Sequence, residues 1–187
     1  KEREMNIKSK VRECFLNAKK YENRGKKHKG LLIVEKNDKK AEEYIQKAKT
    51  NLEMCDFYKE KKLDYKIPEE WFYTLYYCAL AILTKFGVES RSQRCTALLL
   101  RHLKENKKIE LDDEFIDRIT VYTEKDKRSD VDERQDSKYS AWMRNQDVTS
   151  KYEYMMNFCR KCIERCSELV YSKEEFKLSK EFLDEAN

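Results

Sequence analysis

Three short stretches of the sequence gather side chains capable of chemistry. In "ESRSQRC", Glu89 to Cys95, Arg91 and Arg94 flank Ser92 and Gln93. Arginine offers planar, permanently charged donors to a phosphate, so this pattern suits anion binding better than proton transfer. In "KRSDVD", Lys127 to Asp132, Arg128 stands close to Asp130 and Asp132. The plain reading is a salt bridge that fixes a helix end, and the sharper one is an acidic pair for a metal ion. In "CRKCIERC", Cys159, Cys162 and Cys166 fall within two helical turns, a spacing that invites zinc or an iron–sulfur cluster. A fourth ligand must then come from elsewhere, and the three thiols continue an apolar helical stripe. Buried structural cysteine is the favoured reading, with no metal and no cofactor expected.

These residues must be positioned by helices. The chain has 187 residues, of which 40% are apolar and 41% charged. Three glycines and one proline leave little material for tight hairpins, while Lys, Glu, Leu and Ala favour helix. An all-α, antiparallel bundle of about five to six helices follows, in a single domain with virtually no sheet. The net charge of +5 sets 41 basic against 36 acidic residues, which is the balance of solvated helix faces. No run is long and apolar enough to cross a bilayer, and "KEREMNIKSK" is too polar for a signal peptide. A cytoplasmic location without membrane contact is expected, and so is a natural chain somewhat longer than this one. The cysteines number seven; an odd count at helix-core spacing predicts reduced thiols throughout.

The periodicity predicts a first helix with Ile7, Val11, Cys14, Phe15 and Ala18 inward. After an apolar patch at Leu31 to Val34, Asn37 or Asp38 can cap a second helix that carries Ala41, Ile45, Ala48, Leu52 and Cys55. Pro68, Glu69 and Glu70 suit the first turn of a third, "WFYTLYYCALAILTKFG". That segment is apolar all round, which places it at the bundle centre with Tyr73, Tyr76 and Tyr77 in the core, and Gly87 ends it as a left-handed cap. Ser90 and Gln93 form a capping box for a fourth helix with Thr96, Leu99, Leu100 and Leu103. Asp112 or Asp113 starts a fifth, with Phe115, Ile119 and Tyr122 inward. A long charged loop follows, and Asp147 caps a last helix with Val148, Tyr152, Met155, Cys159, Cys162, Cys166 and Leu169 on its stripe.

In this order of parts, "AEEYIQKAKTNLEMCDFY", "WFYTLYYCALAILTKFG", "ESRSQRC" and "KRSDVD" resemble the HEPN domain, particularly its small archaeal-type members. The likeness covers about residues 38–171 and leaves 1–37 as an N-terminal helical extension. It implies a bundle that homodimerises, is encoded beside a minimal nucleotidyltransferase as toxin and antitoxin, and acts on RNA. It also implies that Arg128 and Asp130 lie beside Arg91, Ser92, Gln93 and Arg94 at the mouth of a cleft. Active members cut RNA with an arginine followed four to six residues later by histidine. Here the histidines are His28 and His102: Arg24 precedes the first with three residues between, and Arg101 and Arg94 precede the second with none and seven. Where small relatives read serine then histidine, this chain has Ser92 then Gln93. Glutamine has no ionisable proton to move, so binding without turnover is the expectation.

The leading expectation is thus a HEPN-like protein of a toxin–antitoxin or defence-type system, binding RNA, a nucleotide or a nucleotidyltransferase partner. The alternative is a catalytically silent homodimeric protein-interaction scaffold. A third reading is a metal-dependent enzyme built on the cysteine cluster or on Asp130 and Asp132.

Overall fold

The computed structural model describes residues 2–120 and 145–184. Helix α1 spans Glu2–Glu22 and buries the predicted stripe Ile7, Val11, Cys14, Phe15 and Ala18. The chain then leaves the helix through Gly25, at φ +64°, and runs into a three-residue strand, β1 (Leu31–Ile33). This strand pairs antiparallel with β2 (Val88–Ser90), in the register Leu31 to Ser90, Leu32 to Glu89 and Ile33 to Val88. The sequence marks Leu31 to Val34 only as apolar, because three residues are too few to display a period of two. Close approach explains Gly30: a Cβ there would stand 2.3 Å from the Cys14 carbonyl oxygen, so β1 lies directly on the α1 backbone.

Helix α2 (Asp38–Glu60) begins where Asn37 accepts from the Lys40 amide at 2.8 Å, and its stripe from Ala41 to Cys55 is buried as predicted. A single 3₁₀ turn leads into α3 (Ile67–Lys85), with Pro68 and the carboxylates of Glu69 and Glu70 in the first turn. Gly87, at φ +73°, ends it in the left-handed conformation. Helix α3 packs on α2 and on α6 (Asn145–Tyr171), and Trp71, Leu75, Cys78, Ala79, Ala81 and Leu83 are fully enclosed. It is not sheathed on every side, however. Tyr73, Tyr76, Tyr77 and Leu80 are only half-buried, so one face of the central helix reaches the surface.

Helix α4 (Gln93–Glu105) starts two residues later than the capping box implies. Ser92, not Ser90, is its N-cap and accepts from the Cys95 amide at 3.2 Å. Helix α5 (Asp113–Ile119) is capped by Asp112 and turns Phe115, Ile116 and Ile119 inward; Tyr122 and the charged loop lie outside the described residues. Helix α6 begins at Asn145, so Asp147 sits inside its first turn rather than capping it. Beyond Tyr171 the chain crosses the bundle and ends in a short helix, α7 (Lys180–Asp184), which the sequence pattern does not announce. Phe176 packs against Phe86 at 5.2 Å between ring centroids, and Phe182 against Phe15 at 5.6 Å and His102 at 5.2 Å. The result is an all-α bundle with one small two-stranded sheet, in which residues from α1 to α7 share one apolar core.

The cysteines depart from expectation. Cys14 and Cys95 form a disulfide between α1 and the first turn of α4, with Cα atoms 5.9 Å apart, while Cys55, Cys78, Cys159, Cys162 and Cys166 are free and buried. Spacing along the chain cannot reveal this pair, because 81 residues separate its members and only the packing of α1 on α4 joins them.

Candidate functional site at the turn between α3 and α4

The turn is held from three sides. The Arg91 amide donates to the Gly30 carbonyl at 3.0 Å, extending the β1–β2 pairing by one bond. The Thr96 hydroxyl lies 2.7 Å from Ser90 Oγ and 2.9 Å from the Ser92 carbonyl oxygen, tying the strand end to the helix start. Gln93 Nε2 donates to the Ile119 carbonyl at 3.2 Å, which fixes the start of α4 to the end of α5. Ser92 and Gln93 thus each use a side-chain hydrogen bond to build the turn.

Glu89 is the electrostatic hub. Its Oε1 accepts from His28 Nε2 at 2.8 Å and from Arg91 Nε at 2.9 Å, and its Oε2 lies 3.7 Å from Lys40 Nζ. A carboxylate only accepts, so the His28 proton in this bond sits on Nε2. The His28 side chain is 1% exposed and its Nδ1 is buried with no hydrogen-bond partner. Burial alone would raise the Glu89 pKa, but the His28 bond and the Arg91 and Lys40 charges outweigh it, and the carboxyl is held below its ordinary range. Exposure grows outward along this chain of contacts, from the enclosed imidazole through Glu89 at 24% to Arg91 at 42%. Arg91 is therefore oriented from beneath while its guanidinium remains open to solvent.

Arg94 is exposed and makes no ion pair among the described residues. Lys104, further along α4, does not extend this edge. Lys104 is bonded to Asp113 at 2.6 Å, and ten residues of helix put it about 15 Å from Arg94. Arg128 and Asp130 lie outside the described residues. Of the predicted set, the turn joins Arg91 to Glu89, and through it to His28 and Lys40, while Arg94 stands exposed three residues further on.

Alongside the turn, Tyr44 of α2 stacks on Tyr77 of α3, with centroids 6.0 Å apart and planes 23° apart. Lys47 Nζ lies over both rings, 5.5 and 5.7 Å from their centroids. Burial raises the Tyr44 hydroxyl pKa, and the charges of Lys47, Glu89 and Arg91 are close enough to act on it as well. Lys40, one helical turn before Tyr44, links the tyrosine pair to the arginine turn through Glu89.

The cysteine stripe of α6 is a packing surface. Contact with Cys166 and then burial push the Cys78 thiol pKa up, and burial does the same for Cys55, Cys159 and Cys162. Among the described residues no group of three or more His, Cys, Asp or Glu side chains is arranged to hold a metal ion. An open groove of about 380 Å³ between α2 and α6 mixes Lys49 and Arg160 with Glu53, Asp56 and Glu164, and among the described residues none of the predicted site lines it. No helix among the described residues is long and apolar enough to cross a membrane.

Chemically, the turn can hold an anion: two exposed guanidinium groups stand at the start of α4, whose first amides carry partial positive charge. It presents no accessible imidazole, since His28 is enclosed and His102 packs against Phe182. Neither a family model, a curated protein nor a solved structure matches the chain.

Proposed function

We propose that this is a HEPN-like RNA-binding protein of a toxin–antitoxin or defence-type system, which holds RNA phosphate at the turn from Glu89 to Arg94 without cutting it. The observation that carries this reading is the exposed Arg91, oriented by Glu89 and followed three residues later by the exposed Arg94 at the start of α4. Planar donors fixed in direction bind a phosphate without any proton transfer. The turn also lacks a histidine open to substrate, which supports binding over cleavage.

The test is RNA affinity at two salt concentrations together with an RNA-cleavage time course over hours, for the wild type and an Arg91→Ala, Arg94→Ala double variant. Affinity should fall steeply with salt, and the slope should shrink by roughly one to two phosphate contacts in the variant. Efficient metal-independent cleavage by the wild type would overturn the non-cutting part of the reading. Absence of RNA binding at low salt would shift the assignment to a protein-interaction scaffold.

A further inference from the structure

A central helix that shows aromatic rings at the surface calls for an account, because Tyr77 and Tyr44 bury one edge in the core and leave the other half-open. The two rings are stacked, Tyr73 continues the row at 6.1 Å from Tyr77, and the Lys47 ammonium hangs over the pair. Lys40 lies one helical turn before Tyr44 on α2 and is joined through Glu89 to Arg91. From this juxtaposition, and resting on the RNA-binding reading above, we infer that Tyr44 and Tyr77 form a stacking shelf for an unpaired base of single-stranded RNA. Lys47 and Arg91 take the phosphates on either side of that base.

The chemistry favours this occupant. Every nucleobase has a face that stacks on an aromatic ring, and the adjoining phosphates bring negative charge to Lys47 and to the solvent-facing side of Arg91. The one carboxylate of the cluster, Glu89, is already shared among His28, Arg91 and Lys40. A second copy of the chain docking the same face would bring another Lys47 and another Arg91, setting like charge against like. Double-stranded RNA keeps its bases paired and stacked, and would leave the tyrosines unused.

The experiment compares three labelled probes of equal length: unstructured oligouridine, an abasic oligonucleotide with the same phosphates, and duplex RNA. The variants are Tyr44→Ala, Tyr44→Phe and Lys47→Glu, each checked for helix content and for monomer or dimer state. Wild type should prefer oligouridine to the abasic probe by about tenfold. Tyr44→Ala should erase that preference with the salt slope unchanged, and Tyr44→Phe should keep it. Lys47→Glu, a surface change that leaves the core alone, should weaken all three probes. If wild type binds oligouridine and abasic probe equally while the arginine double variant still loses affinity, the shelf is wrong and the phosphate edge stands. If nothing binds, both readings fall. Should Tyr44→Ala leave RNA binding intact but convert a dimer to a monomer, the face is a self-interface and the inference is overturned.

Discussion

Glu89 lies three-quarters covered, yet its carboxyl ionises more readily than one in free solution, because His28, Arg91 and Lys40 all favour the charged form. A carboxyl whose folded pKa is depressed stabilises the fold fully above its unfolded value, and that stabilisation is lost as pH falls through the folded value. Glu89→Gln should therefore be less stable than wild type at neutral pH, with the gap closing as pH drops below the ordinary value of 4.5. Urea unfolding midpoints across a series from pH 7 to acid would show this, and a gap independent of pH would contradict the ion cluster. At this scale the sequence is half legible. Arg91 and Arg94 announce themselves by type and spacing, whereas the His28–Glu89 bond joins residues 61 positions apart and leaves no local trace. A search for Arg-to-His spacing along the chain therefore passes over the histidine that the β1–β2 pairing delivers in space.

Helix α6 places Cys159, Cys162 and Cys166 on the stripe that meets α2 and α3, and burial or mutual contact keeps the thiols facing them poorly nucleophilic. A thiol reagent should thus label none of the five free cysteines in the native protein on the timescale of mixing. In denaturant it should count five, and after reduction seven. Rapid native labelling of the α6 cysteines would mean that this face is open. The same helices show why elements are easier to read than their limits. Apolar residues at three-and-four spacing identify α1, α2, α3, α4 and α6 directly. The start of α4 does not follow from such a pattern, because Ser90 and Ser92 are both competent caps. Pairing with Leu31 claims Ser90 for the strand and passes the cap to Ser92, a decision taken by residues sixty positions away. The half-open face of α3 escapes for a related reason: composition tells that tyrosine can be buried, and only the arrangement of α2 beside it tells how far.

For the molecule as a whole, the disulfide is the chief surprise, since parity and helix-core spacing point to free thiols. Joining Cys14 to Cys95 closes a long loop and removes freedom from the unfolded chain. Equilibrium unfolding with and without reductant should differ by about 2–4 kcal/mol in favour of the oxidised protein. A difference near zero would show that packing alone holds α1 on α4. The apolar contacts of the segment after α6 extend the same closure. Phe182 covers Phe15 and His102, Phe176 covers Phe86, and the Phe176 carbonyl accepts from Lys36 Nζ at 2.6 Å. During synthesis these covering residues leave the ribosome after everything they cover, so α1 and the end of α3 must wait with aromatic surface bare. Until residues 172–182 have emerged, Phe15 and Phe86 lack their aromatic covers, so a chain without this stretch carries an exposed apolar surface and is prone to aggregate.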